Sequence, residues 1–269
     1  MKRNETHEPT IERVIELSGI ETIHPGGMAM TRRAGEVAAL APGMRLLDVS
    51  SGRGTQAIYY ARQFGVEVSG VDISEEMVRT ASRSAARAGL ADRVRFRQGD
   101  SQRIPFSSGT FDVVVNECAV GIPENSQAVL DEMLRVVRPG GVVVMHESTW
   151  RGSLSPAEKD ELADRYGTTP LESAEWIEML ARAGARDIRA EADPWSRPEM
   201  FWKVRVDRDV RRPGAVLTPV EKARTALRVA RRYGLTGIRK AFENERAFYR
   251  AVLDGKLGYS LYWARRPVA

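Results

Sequence analysis

Gly52 and Gly54 stand one residue apart in the stretch Leu46-Leu47-Asp48-Val49-Ser50-Ser51-Gly52-Arg53-Gly54-Thr55, and their spacing is the first pointer to chemistry. Side chains at these positions would fill space that a ligand's ribose or carboxylate needs, and a helix opening just after them offers free N–H groups and a positive dipole end. About 20 residues on, Asp72 ends a second apolar run, where a carboxylate accepts from both ribose hydroxyls. Asp100 with Ser101, and Asn116 with Glu117, repeat the pattern of polar groups closing an apolar run. Such a set seats a nucleoside cofactor. For proton transfer the candidates are Glu117, His146 beside Glu147, and His24 in a Pro-Gly-Gly turn. The chain has three histidines, and His7 falls in a polar tail.

The elements that must position these groups follow from periodicity. Met44 to Val49 is a short apolar run, and Thr55 to Phe64 then carries helical spacing at Ala57, Ile58, Ala61 and Phe64. Further strands are expected at Val66–Asp72, Val94–Gln98, Phe111–Val115 and Val142–His146. A helix over Gln127–Val137 precedes the last of these, stopped by Arg138-Pro139-Gly140-Gly141. Glu172 to Ala183 reads as a helix closed by Gly184, and Asp187 to Ala192 as a sixth strand. The aromatic, alternating Gly258 to Ala264 reads as a last strand, antiparallel beside the sixth. In an open α/β sheet the carboxyl ends of such strands line one crevice.

On these residues the chain resembles the class I S-adenosylmethionine-dependent methyltransferases of the small-molecule type. The resemblance covers roughly Met44 to Glu147 and rests on LLDVSSGRGT, GVDIS, QGDSQRIPF, FDVVVNECAV and LRVVRPGGVVVMHE. It implies a Rossmann-like, doubly wound α/β fold: a seven-stranded, mostly parallel sheet whose antiparallel last strand slots between the fifth and sixth. It also implies S-adenosylmethionine as cofactor. Asp48, Ser50, Gly52 and Gly54, with Gln56, are then expected at its methionine end, Asp72 and Ile73 at the ribose and adenine face, and Asp100 and Ser101 at the adenine edge. Asn116 completes the cofactor set, and Glu117 falls near the transferring methyl. One departure stands out. Ser50 occupies the place of a common first glycine, and Ser51 that of a common cysteine.

About 60 residues, Ser196 to Lys256, separate the last two strands where a short hairpin would suffice, so they form something additional. Thr218 to Tyr233 and Gly237 to Leu253 read as amphipathic helices, and a helical lid over the substrate is expected. The expected organisation is an N-terminal helical cap (1–41), a cofactor-binding core (42–195), the lid insertion (196–256) and the final strand (257–269). His24 to Met28, followed by a helix from Thr31 to Leu40, forms a bend in the cap. Tyr59, Trp150, Trp195, Phe201 and Trp202 are candidates for pocket walls, for cradling a cation or for core packing.

Composition narrows the function. A single cysteine, Cys118, excludes an internal disulfide, a cysteine-rich zinc site and a thiolate-held metalloid; no metal site is expected. The absence of a long apolar run, and a polar start, predict a cytoplasmic protein without a membrane span. A net charge of +5 invites nucleic acid, but acids interleave with the arginines, as over Glu221 to Arg250, and nucleic acid is not expected as a partner. The expected partner is a small-molecule methyl acceptor, an N, S, O or C nucleophile. Glu117 and Glu147 lean the expectation toward an amine, and a homodimer stays open. Two alternatives remain on residues alone: a nicotinamide-dependent oxidoreductase, for which Ala57 stands where a third glycine belongs, and a non-catalytic cofactor-binding module.

Overall fold

The computed structural model describes residues 8–268, so His7 lies outside them. Its strands are β1 (Arg45–Val49), β2 (Glu67–Asp72), β3 (Val94–Gln98), β4 (Phe111–Glu117), β5 (Val137–Trp150), β6 (Leu171–Glu172), β7 (Arg186–Glu191) and β8 (Leu257–Arg265). Its α-helices are α1 (Ile11–Ser18), α2 (Gly27–Val37), α3 (Thr55–Phe64), α4 (Glu75–Arg87), α5 (Ser126–Val136), α6 (Pro156–Tyr166), α7 (Ser173–Arg182), α8 (Pro198–Phe201) and α9 (Pro219–Leu253). The chain forms two compact units. A sheet unit comprises Met28–Glu147, Ser173–Glu191 and residues 260–268. A helical unit comprises residues 8–27, Ser148–Glu172 and Ala192–Tyr259.

In the sheet unit the strand order is β3-β2-β1-β4-β5-β8-β7. Strands β1 to β5 pair in parallel, and β7 pairs antiparallel with β8. Their apolar runs are buried along their length: Leu46, Leu47, Val49, Val113, Val114, Val115, Val143, Val144 and Met145 are 2% exposed or less, as strands covered on both faces require. Between β1 and β4 the order reverses, so the sheet has its topological switch there. The last strand does lie between the fifth and sixth long ones.

Two local expectations shift. Strand β5 starts at Val137 rather than Val142, because Gly140 and Gly141 exchange backbone hydrogen bonds with Arg266, donated by the Gly140 and Arg266 N–H groups at 2.9 and 3.0 Å. Pairing with the chain end overrides the turn-like Pro-Gly-Gly text, and Gly141 is needed for close approach: a Cβ there would lie 2.7 Å from the Asp112 carbonyl. The main path has the seven strands expected, and a short eighth strand lies off it. The extra one, β6, pairs Leu171 and Glu172 with Thr149 and Trp150, and two residues are too few to show a period.

The helical unit draws on more of the chain than the 196–256 stretch, since Ser148–Glu172 with α6 packs into it and residues 8–27 with α1 complete it. Helix α6 starts on a reciprocal cap between Ser155 and Glu158, and α9 on one between Thr218 and Glu221. Gly234, at φ 72° and ψ −175°, interrupts α9 and leaves two helical halves close to the two expected. Phe201, Trp202, Phe248 and Tyr249 form an aromatic cluster with ring centroids 4.9–6.3 Å apart. Trp195, Phe201 and Trp202 are at most 5% exposed and serve as core. The Asn244 amide donates to the Pro9 carbonyl at 2.9 Å and accepts from Arg165 at 3.1 Å, tying three segments together. Arg205 is buried in a carboxylate fork. Its guanidinium donates to both oxygens of Asp207 at 2.6 Å, to both oxygens of Glu221 at 3.0 Å and to the Val216 carbonyl at 3.1 Å.

Candidate cofactor site

At the switch, Asp48 pairs in register with Val115, and Val49 with Asn116. Strand β1 ends in a loop in which Ser50, Gly52 and Gly54 all take positive φ, at 62°, 51° and 78°. The two glycines are there for different reasons. A Cβ on Gly54 would lie 2.6 Å from the Phe96 ring and 3.0 Å from Ala81, so packing against β3 and α4 forbids a side chain. A Cβ on Gly52 would meet nothing within 4 Å, so that glycine faces open space a ligand can use. Helix α3 then starts on Gly54 without a side-chain cap, the arrangement that leaves helix N-terminal donors to an anion.

The Asp72 carboxylate accepts from the Gly52 N–H and the Ser74 N–H, both at 2.9 Å. It fixes the glycine loop to the start of α4, and each oxygen retains acceptor capacity for a ribose hydroxyl. Ile73, next in the chain, is 69% exposed. Asp100 accepts from the Gln102 N–H at 2.8 Å, and Ser101 is buried at the same bend. Gln56 lies half-buried in the first turn of α3.

Deeper at the switch the polar groups are buried. Asp48 is 2% exposed and Asn116 fully buried, and Asp48 Oδ2 and Asn116 Nδ2 have no hydrogen-bond partner; Ser51 Oγ shares this state. Buried polar atoms left unpaired cost stability, and they concentrate where a ligand completes them. Burial first, and then the charges of Glu117 and Asp72, push the Asp48 carboxyl well above the ordinary carboxylate range. These groups suit a polar, positively charged nucleoside cofactor.

Glu117 is held by donors that the sequence did not single out. Thr31 Oγ1, on α2, donates to its Oε2 at 2.8 Å, and the Tyr60 hydroxyl, on α3, donates to its Oε1. His146 Nε2 lies 3.3 Å from Glu117 Oε2. Burial, then the charge of Glu117, pushes the Tyr60 phenol well up, so it stays a donor. A tyrosine on an otherwise apolar helix stripe was the available signal, because a buried hydroxyl needs a partner. Glu147 instead caps the loop after β4: its Oε1 accepts from the Val120 N–H at 2.6 Å. Asn116 Oδ1 accepts from the Ala119 N–H in the same loop at 3.0 Å. His24 belongs to the helical unit, where its ring is buried, stacks at 6.5 Å on Tyr259, and holds Nδ1 2.9 Å from the Pro25 carbonyl.

Residues 46–141 match the model of a methyltransferase domain. The methyltransferase YodH of Bacillus subtilis is 31% identical over 178 residues, covering 66% of this chain and 75% of that protein. Norajmaline N-methyltransferase of Rauvolfia serpentina is 30% identical over 154 residues, 54% of this chain and about half of that protein, 53%. The solved [4+2]-cyclase SpnF superposes with a TM-score of 0.72 at 22% identity, over 97% of this chain and 98% of that one. A parallel sheet with its glycine loop and strand-end acids at the β1–β4 switch defines a Rossmann-like nucleoside-cofactor protein. Within that class, the chain belongs to the S-adenosylmethionine-dependent class I methyltransferases. The nicotinamide reading falls with this. The likeness to a cyclase shows the fold alone, and a fold does not fix a reaction.

Proposed function

We propose that the acceptor is a small-molecule amine and that the cofactor is held on the sheet unit. The observation that carries the cofactor half is the pair of buried, unpartnered atoms Asp48 Oδ2 and Asn116 Nδ2 at neighbouring strand ends. When bound, the cofactor supplies a methyl group already activated on a sulfonium. Asp48, Ser50, Gly52, Gly54 and Gln56 hold its methionine end and Asp72 its ribose. Ile73, Asp100 and Ser101 hold its adenine, and Asn116 completes the cradle beside β4.

An amine is favoured by charge. Glu117 and Asp72 bear electrostatically on Asp48 at this edge, and carboxylates gathered at one edge attract cations and repel anionic acceptors. Transfer to a neutral amine moves the positive charge from sulfur to nitrogen, where the same field stabilises it. The relative named for N-methylation supports this choice. Glu117, gripped by Thr31 and Tyr60, orients His146, which takes the proton an ammonium acceptor must lose. His24 is the helical unit's candidate for the same task. In sequence, the helical unit's segments follow Glu147 within β5 and run from Ala192, after β7, to Tyr259 within β8, and chain inserted beyond strand ends is where such folds carry specificity.

Labelled-methyl incorporation across amines, thiols, phenols and lipids tests the acceptor. Turnover confined to amines is expected, and turnover on thiols or phenols alone overturns the amine reading. Calorimetry with Asp72→Ala tests the cofactor half. A loss of about 1.5–3 kcal/mol of binding is expected for hydrogen bonds to a charged group, and unchanged affinity removes the ribose assignment.

A further inference from the structure

The interleaving of acids expected over Glu221 to Arg250 fails in its first half. Between Lys222 and Lys240 there are seven Lys or Arg residues and no Asp or Glu. On the exposed side of each half of α9 these cations alternate with apolar side chains at helical spacing. Val220, Arg224, Leu227 and Arg231 follow one another by four, three and four residues, and after Gly234 so do Leu235, Arg239, Phe242 and Arg246. The four apolar members are 53–81% exposed, although α9 buries Thr225, Val229, Gly237, Asn244, Ala251 and Val252 on its other side. Leucine and phenylalanine left in water on a structural helix serve no packing purpose within this unit.

We propose that this face of α9 docks on an anionic lipid bilayer, with Leu227, Leu235 and Phe242 entering the headgroup boundary and the arginines engaging lipid phosphates. Charge decides the occupant. A second copy brings a face of the same net positive charge against this one, which opposes self-association. An adjacent cleft is lined by Arg205, Arg224 and Arg228 but also by Glu21, Asp207 and Glu221, so it offers an anion no net attraction. Among the described residues of α9 the acids next to the stripe, besides Glu221 at its start, come at its far end: Glu243, 3.7 Å from Arg239, and Glu245, which accepts from the Tyr249 hydroxyl. A cationic face with single exposed apolar residues matches the requirements of an interfacial helix that lies on a membrane without crossing it. Among the described residues no helix is long and apolar enough to cross one. The inference rests on α9 alone and is independent of the acceptor's identity.

Co-sedimentation of the full chain with phosphatidylcholine vesicles, with and without phosphatidylglycerol, tests it. Binding only to the anionic vesicles, weakening as salt is raised, is expected. The triple variant Arg224→Gln, Arg231→Gln and Arg246→Gln should lower partitioning by about a hundredfold, at about a factor of five per cation near the surface. Should that variant unfold, Leu235→Asn with Phe242→Asn removes the apolar contacts at exposed sites and should lower partitioning while the melting temperature holds. Equal binding to neutral vesicles, no binding to either, or wild-type partitioning by a folded variant overturns the proposal. So does a dimer, or a nucleic-acid complex, that the triple variant abolishes in a protein that ignores vesicles.

Discussion

Both units bury charge, and they do so in opposite ways. Arg205 in the helical unit has a side chain 4% exposed, and every arm of its guanidinium is occupied by Asp207, Glu221 or the Val216 carbonyl. Asp48 in the sheet unit is equally buried, yet one oxygen is unpaired and its carboxyl is pushed up. A saturated buried ion fixes structure, because no lone pair or proton is left to offer. An unsaturated one is a standing cost that a ligand relieves. At these two residues the contrast distinguishes a fixed scaffold from a ligand site; Arg208 Nε, also buried without a partner, shows that an orphaned atom marks a site only where others gather with it.

Arg205→Ala should show the largest effect. Removing the guanidinium takes the shared cation from Asp207 and Glu221, while Arg208 still donates to the Val216 carbonyl at 2.8 Å and the Thr218 N–H to Glu221 at 2.8 Å, and a loss of about 2 kcal/mol is expected on denaturant unfolding. Glu221 adds a pH signature. Arg205 first, and then the Thr218 N–H, hold its carboxyl down from the ordinary 4.5 to about 2. A depressed folded-state pKa stabilises above the unfolded value and loses that contribution as pH falls from about 4.5 to about 2. The parent should therefore lose stability through that window more steeply than the variant. Parallel acid profiles would mean that Arg205 is not what charges Glu221.

Much of the sheet unit was legible in the sequence, and the reason is local. Strands β1, β3 and β4 and helices α3 and α5 are each specified by runs or 3.6-residue spacing inside one short window, and a polar marker lies at or within two residues of each strand's end: Asp48 and Ser50 at β1, Asp100 after β3 and Glu117 at β4. What escaped depends on distance. Thr31 and Tyr60 reach Glu117 across 86 and 57 residues of chain, and periodicity carries no information about such pairs. The helical unit is discontinuous for the same reason: α6 joins α9 through Arg165 and Asn244, and no composition shift marks Ser148–Glu172 as part of it. The turn text at Gly140 misled because a partner strand arrives from the chain's far end.

Asp48→Asn tests the other half of the contrast, with a smaller and two-sided effect. In the free protein the raised carboxyl binds its proton more tightly folded than unfolded, so stability falls as pH rises above the ordinary 3.8 toward the raised value. The amide removes that loss, and a gain of about 1 kcal/mol at neutral pH is expected. Cofactor binding should weaken by about 1.5 kcal/mol, since a cation loses its charged partner. The sulfonium and ammonium favour ionised Asp48, so binding to the parent releases a proton and tightens as pH rises; in the variant that dependence flattens. Calorimetry in buffers of different ionisation enthalpy reads the proton directly. A parent affinity flat with pH would place the charge elsewhere.

Ser50→Gly is the finest test, because it asks whether the loop stores strain for the ligand's benefit. Ser50 sits at φ 62°, where an L side chain costs about 1–2 kcal/mol. Glycine removes that cost but surrenders more freedom on folding, so a net gain of about 0.5 kcal/mol in stability is expected. If the hydroxyl donates to the cofactor carboxylate, the same change lowers affinity, and Ser50→Ala lowers it equally without the stability gain. Affinity unchanged in both variants would make Ser50 a tolerated replacement for glycine with no part in binding. Gly52 would then carry the loop's share of recognition alone, since its absent side chain is the one that leaves open space.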